Sequence, residues 1–140
     1  MLAAALGCGK GVNEKGVYQV PMTPAEKNLS HIAAAYEEAY SKLGRGPKDA
    51  AELKPFLKEH GNPDELLVSP NDGEPFVVIW GKKPAGGPTE YKGLFPILAY
   101  ESKGSGGARA VTDIRGVPKT VPDEDFGKLK FLGGHKPATN

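Results

Sequence analysis

The feature that most constrains the fold is a capped amphipathic helix that precedes a run of strand patterns. Thr23 is an N-cap residue, Pro24 suits the first helical position, and Glu26 completes a capping box. The apolar residues that follow recur at steps of three and four, the spacing of one helix face: Leu29, Ile32, Tyr36, Tyr40 and Leu43. Gly44 supplies a C-terminal stop. We predict a helix over 24–43 that buries one face against a second layer.

Two shorter helical signals follow. Asp49 to Glu52 offers a second cap, but Pro55 interrupts the pattern. Because proline removes a helical hydrogen bond, we expect one turn that ends near Leu53 and another over 55–60. Asn62-Pro63-Asp64 can cap one further turn.

After the Ser69–Gly73 turn, the periodicity changes to that of strands. We predict strands over four ranges: 76–80, 97–101, 109–114 and 117–121. The first is apolar on both faces, which favours a central position, and Pro118 assigns the last to a sheet edge. Residues 122–132 predict a short helix, and 133–140 predict a disordered tail.

The order of these elements predicts one α+β domain over residues 23–132. Its long N-terminal helix packs on a small antiparallel sheet of three to four strands, and a short helix follows near the C-terminus. The net charge is +1, without a basic cluster, which argues against nucleic acid as a partner.

The N-terminus, Met1 to Cys8, is apolar and ends in small residues before the only cysteine of the chain. Signal segments end in this way, although the basic start is missing and seven residues are too few for a complete signal. We therefore expect the true start to lie upstream of Met1. Residues 9–22 are polar and glycine-bearing and predict a flexible tether.

The tetrapeptide Ala5-Leu6-Gly7-Cys8 resembles the lipobox of bacterial lipoproteins, with Ala5 and Leu6 in the reverse of the commonest order. The resemblance implies cleavage before Cys8 and lipidation of that residue. Gly9 replaces the aspartate that retains many lipoproteins at the inner membrane. The implied location is the cell envelope, at the periplasmic face of the outer membrane, with the membrane and envelope proteins as partners.

The order of elements is also similar to that of type II secretion pseudopilins and other type IV pilin-like domains, over residues 23–121. Gly73-Glu74-Pro75-Phe76 fits the Gly-x-Pro-aromatic half of the turn that opens the pseudopilin sheet. Pro70 is one residue too far away, and Asn71 with Asp72 replaces the tryptophan of that turn. The apolar helix through which pilins polymerise does not occur in these 140 residues. The chain also resembles short uncharacterised bacterial lipoproteins with the same capped helix and Ser-Pro-x-Asp-Gly turn.

Candidate sites are few. Some pseudopilins bind calcium, and Asp64, Asp72, Glu74 and Asp113 are weak candidate ligands. The alternative is that Asp72 orders its own turn while the others are solvated. His31, His60 and His135 are too far apart in sequence to predict a zinc site. We predict neither a cofactor nor a resident metal.

Aromatic residues surround the glycine-rich loop 81–91. Trp80, Tyr91 and Phe95 could line a groove for a peptide or sugar, with Tyr100 beside them. The alternative is that Trp80 and Tyr100 are core residues and the loop is a flap. No catalytic constellation is recognisable. The sequence thus favours a non-catalytic, lipid-anchored protein that binds or assembles, and the alternative is a pseudopilin-like component of a secretion or pilus assembly.

Overall fold

The structure, a computed structural model, describes residues 21–138. The signal segment, the lipobox with Cys8 and nearly all of the predicted tether lie outside the described residues. The helices are α1 (Pro24–Leu43), α2 (Ala50–Leu57), α3 (Pro63–Leu66) and α4 (Asp123–Phe126). The strands are β1 (Val77–Val78), β2 (Ile97–Tyr100), β3 (Ala108–Asp113) and β4 (Pro118–Pro122). A 3-10 turn covers Leu132–Gly134.

Helix α1 has the predicted bounds because both ends are capped as the sequence indicates. The backbone N–H of Glu26 donates to Thr23 Oγ1 over 3.1 Å, and the N–H of Thr23 donates to Glu26 Oε1 over 3.0 Å. Gly44 adopts a left-handed φ of 74° and donates to the carbonyl of Tyr40. Within the apolar stripe, Leu29, Ile32 and Tyr36 are fully buried.

The predicted α+β architecture is confirmed. Helix α1 packs on a four-stranded antiparallel sheet of order β1-β2-β3-β4, and α4 is the short C-terminal helix. Adjacent residues of β3 point to opposite faces, so Ala110 joins the core beneath α1 while Val111 joins a second apolar cluster on the other face. The sheet therefore separates a large core from a smaller one, which α4 and residues 127–138 cover.

The predicted break at Pro55 is wrong, because α2 runs through this residue. Pro55 removes one N–H from the ladder, but the helix ends only two residues later. Leu53 and Leu57 are fully buried on either side of it, in the core that α1 also lines. Their burial offsets the lost hydrogen bond.

The predicted central strand over 76–80 is also wrong. Within this range only Val77 and Val78 pair with β2, and β1 lies at an edge of the sheet. The segment is apolar because loops cover it: the N–H of Phe76 donates to the carbonyl of Leu67, and Phe76 is 7% exposed. Apolar content on both faces cannot separate a central strand from a covered edge strand.

Strand β4 lies at the other edge, as Pro118 predicts. The backbone N–H of Glu101, next to β2, donates to the carbonyl of Ala110, so the backbone groups of Ala110 point toward β2. By alternation, the backbone groups of Val111 and of its β4 partner Lys119 point toward each other. The outward positions of β4 are then 118, 120 and 122. Two of these are prolines, which leaves Thr120 as the one outward N–H donor of β4.

The C-terminal predictions need two corrections. The helix expected over 122–132 is confined to α4, because Gly127 follows its last residue and the chain turns. The expected disordered tail from residue 133 does not hold for residues 133–138. His135 Nε2 lies 2.7 Å from the hydroxyl of Tyr100, and this contact ties the segment to the sheet.

Candidate functional site

Residues 127–138, here called the C-terminal segment, cover the sheet face that carries Tyr100 and Val111. The N–H of Ile97 donates to the carbonyl of Lys130, which starts the segment alongside β2. Four rings then pack edge to face or tilted, with neighbouring centroids 5.2–5.9 Å apart: Tyr100, Phe126, Phe131 and His135. This packing fixes the position of a segment that has little regular secondary structure.

One cleft, here called the loop cleft, opens between loop 87–91 and the C-terminal segment. It encloses about 530 Å³ and is lined by Tyr91, Phe131, Lys128 and Lys130 among others. The Tyr91 hydroxyl is enclosed without a well-formed hydrogen bond. Burial, with the nearby Asp125 carboxylate, raises the pKa of Tyr91. The loop cleft therefore offers mixed charge and one aromatic wall.

A second cavity of about 310 Å³, here called the C-terminal pocket, lies beside the Tyr100–His135 contact. Its polar lining consists of Tyr100, Ser102, Arg109, His135 and Lys136, and its apolar lining includes Val77 and Pro137. Strands β2 and β3 position the tyrosine and the arginine, while the C-terminal segment supplies the histidine and the lysine. Four separate stretches of the chain therefore build this pocket.

The Tyr100–His135 pair has a defined protonation state near neutral pH. Burial lowers the pKa of His135, so the imidazole is neutral there. Burial also raises the pKa of Tyr100, against the opposing charge of Arg109, so the phenol stays protonated. The pair therefore shares one hydrogen bond whose direction depends on the tautomer of the imidazole.

Arg109 is the least exposed cation of the pocket, with 12% of its side chain accessible. Its guanidinium lies 4.4 Å from the centre of the Phe126 ring, a cation–π contact. Its Nε lies 3.4 Å from a carboxylate oxygen of Asp123 but forms no hydrogen bond with good geometry. Asp123 thus partly balances a charge that the aromatic ring holds in place.

The aromatic groove predicted from Trp80, Tyr91 and Phe95 stays a prediction. Trp80 and Phe95 both pack on the core beneath α1, while Tyr91 packs on the cluster at the other face of the sheet. Trp80 stacks on Tyr36 with centroids 6.4 Å apart and packs on the core beneath α1. Phe95 lies under the guanidinium of Arg115 at 3.8 Å. Tyr91 alone of the three lines the loop cleft. Of the two residues in the alternative, Tyr100 is buried and Trp80 is half-buried.

The weak calcium candidates are not brought together. Asp72 accepts backbone hydrogen bonds from Glu74, Lys103 and Gly104, so it joins two turns. Burial opposes ionisation of Asp72, but these hydrogen bonds outweigh it and lower its pKa. Among residues 21–138, no group of three acidic, histidine or cysteine side chains has a geometry that could hold a metal ion.

Asp113 is fully buried at the C-terminal end of β3, whereas the turns around Asp72 lie near the start of that strand. Its carboxylate already has partners. Its carboxylate pairs with Arg115 at 2.8 Å and accepts from the backbone N–H of the same residue. Asp64 is exposed and pairs with Lys54. Glu74 lies 3.8 Å from Lys103 Nζ, so each of the four candidates has a structural partner within the described residues.

Sequence reasoning did not single out two other arrangements. Glu101 is 1% exposed and accepts from Ser69, Asn71 and the backbone of Ala110. His31 and His60 lie with ring centroids 4.9 Å apart, although they are 29 positions apart in the sequence. Burial of the His31 ring, with His60 and Lys27 adding to it, lowers the pKa of His31.

Sequence reasoning also missed the role of Arg109 and His135. Period-two alternation places Arg109 on the same face as Val111, which is a usable signal that this cation lies over a buried surface. No local signal brings His135 to Tyr100, because the contact depends on the path of the C-terminal segment.

No family model, curated protein or solved structure matches this chain. The likeness to lipoproteins and to pseudopilins therefore rests on the sequence motifs given above. Within the described residues, no helix is both long and apolar enough to span a bilayer.

Proposed function

We propose that this chain is a lipid-anchored protein of the cell envelope whose domain acts by binding and not by catalysis. The observation that carries the proposal is the sequence Ala5-Leu6-Gly7-Cys8, in which the single cysteine of the chain follows small and apolar residues. Acyl chains on Cys8 would supply stable attachment, because each buried methylene contributes about 0.8 kcal/mol.

The distance between Cys8 and the domain suits a tether. Residues 9–22 precede the cap of α1, and a chain of that length reaches at most about 50 Å. A domain held in this way can present any face to partners in the periplasm. The proposed location is the periplasmic face of the outer membrane, since Gly9 follows the cysteine.

The clefts around the C-terminal segment support a binding role for the domain. The loop cleft and the C-terminal pocket both use this segment as a wall. The buried carboxylates Glu101 and Asp113, in contrast, hold loops to the sheet and do not face these cavities.

Metabolic labelling tests the anchor. The gene with its native upstream sequence is expressed in a bacterial host that receives a labelled fatty acid. Wild type should take up label, Cys8→Ser and Leu6→Asp should not, and the matched variant Lys10→Gln should label as wild type does. Fractionation of the same cells should place wild type, but not Cys8→Ser, with the outer membrane. Label on Cys8→Ser equal to that on wild type would reject the proposal.

The second candidate is a pseudopilin-like component of a secretion or pilus assembly. It is favoured by one observation, that Gly73-Glu74-Pro75-Phe76 leads directly into β1 of a sheet packed on a 20-residue helix. A pilin-like fold is proposed only as part of this second candidate function. Reading the DNA upstream of Met1 separates the two: a short basic and apolar leader supports the lipoprotein, and a long apolar helix after a prepilin cleavage site supports the pseudopilin.

A further inference from the structure

The lining of the C-terminal pocket combines cations with neutral donors. Arg109 and Lys136 contribute positive charge, and no carboxylate forms part of the wall. The nearest described acid to the guanidinium is Asp123, whose side chain is 50% exposed. The charge balance inside the pocket is therefore positive, which favours a ligand that carries negative charge.

Arg109 is placed to contact such a ligand directly. Phe126 and Asp123 occupy one face and one edge of its guanidinium. Its buried Nε has no well-formed hydrogen bond among residues 21–138, although Asp123 lies 3.4 Å away, which leaves a donor for an anion. Because the side chain is largely buried and stacked, it would lose little conformational entropy on binding.

Two hydroxyl groups complete the donor set. Ser102 lines the pocket, and the Tyr100 hydroxyl lies 2.7 Å from His135 Nε2. In the tautomer that places the proton on Nε2, His135 donates to the tyrosine oxygen. The phenolic proton of Tyr100 is then free to donate to a ligand oxygen.

The size of the cavity limits the ligand. A volume of about 310 Å³ is at the lower end for small-molecule sites, which range from roughly 300 to 1,000 Å³. Val77 and Pro137 supply apolar lining beside the polar groups. A compact molecule with one oxyanion and an apolar body fits these features.

We propose that the C-terminal pocket binds a small anionic ligand through a carboxylate or phosphate group, with Arg109 and Lys136 as its charged contacts and Tyr100 and Ser102 as neutral donors. The proposal deepens the binding role given above and rests on it. It does not depend on the lipid anchor, so the failure of one can be told from the failure of the other.

Titration of the isotope-labelled full chain, followed by amide chemical shifts, tests the pocket. The probes are inorganic phosphate, phenyl phosphate and benzoate, against sodium chloride at equal ionic strength and at a pH above the ordinary pKa of histidine. Saturable shifts at Ser102, Arg109 and His135 are expected. The probe that saturates at the lowest concentration identifies phosphate or carboxylate as the group. Shifts that do not exceed those in sodium chloride for any probe would overturn the proposal.

Variants assign the contacts. Arg109→Gln should weaken binding by about tenfold or more, as expected for a charge-assisted hydrogen bond. Lys136→Gln changes an exposed side chain that the fold does not need, and it should weaken binding roughly threefold. Lys58→Gln removes the same charge from the helical layer and should bind as wild type does. Equal affinity in Lys136→Gln and wild type would contradict the assignment even if Arg109→Gln failed to fold.

If Cys8 takes up the fatty-acid label but no probe gives a saturable shift, the lipid anchor is supported and the ligand pocket is rejected. If Cys8 takes up no label but a probe gives saturable shifts, the lipid anchor is rejected and the ligand pocket is supported.

Discussion

The carboxylate of Glu101 accepts a hydrogen bond from the hydroxyl of Ser69, 32 residues earlier in the chain, inside the protein. Asn71 Nδ2 and the backbone N–H of Ala110 donate to the same carboxylate. These contacts join the Ser69–Gly73 turn to the end of β2. Every partner donates, so the site matches a group that only accepts.

Glu101→Gln should therefore destabilise the fold. An amide places N–H groups against donors and leaves at least one buried group unsatisfied, at a cost of about 1–3 kcal/mol. Urea denaturation measures the free energy of unfolding, and Glu37→Gln, which changes an exposed glutamate on α1, is the control. Equal loss in the two variants would contradict the structural role of Glu101.

Tyr36 links α1 to the start of loop 81–91. Its hydroxyl lies 2.9 Å from the carbonyl of Ile79 and 2.8 Å from that of Lys82, and it accepts from the N–H of Lys82 at 3.0 Å. Tyr36→Phe should cost about 1–3 kcal/mol of unfolding free energy and raise amide exchange at Lys82. The matched variant Tyr40→Phe removes a hydroxyl that has no described partner and should change stability little. Unchanged exchange at Lys82 in Tyr36→Phe would refute the linkage.

The stability of the protein should fall as the pH drops below the ordinary pKa of histidine. The pKa values of His31 and His135 lie below the ordinary 6.5 because burial disfavours the charged ring. The unfolded chain then binds protons more readily than the folded one, so stability is complete above pH 6.5 and is lost toward lower pH. Urea midpoints between about pH 7 and 5 should decline in wild type and decline less in His31→Gln. A slope as steep in His31→Gln as in wild type would exclude His31 as a contributor.

The edge strand β4 is protected against pairing with another chain. Pro118 and Pro122 occupy two of its three outward positions and cannot donate to a new ladder. The double variant Pro118→Thr with Pro122→Thr restores two outward donors on a β-favouring background. Its average mass by light scattering should exceed that of wild type at equal concentration, and Pro88→Thr, in an exposed loop, should not differ from wild type. Identical masses for the double variant and wild type would show that the prolines do not guard this edge.

The parts of the fold that follow from local signals are predictable from the sequence. The capping box at Thr23 and the stop at Gly44 define α1, and alternation with turn residues defines β2 and β3 within one residue. Pro118 alone is enough to assign β4 to an edge. The position of β1 is not predictable in this way, because a covered edge strand and a central strand have the same apolar pattern.

The candidate site is harder to predict from the sequence than the fold is. Arg109 and His135 are 26 positions apart, and their proximity depends on how the C-terminal segment returns over the sheet. The glycines at 133 and 134, which suggest disorder in the sequence, instead take left-handed φ values of 64° and 74° in a turn. Aromatic packing, which has no sequence period, then fixes the segment.

We propose that Cys8 attaches the protein to a membrane. Intact-mass spectrometry of the protein purified from membranes of its bacterial host tests this most directly. We expect a chain that begins at Cys8 and carries the added mass of its acyl groups. A chain that retains Met1 to Gly7, with a free thiol at Cys8, would contradict it.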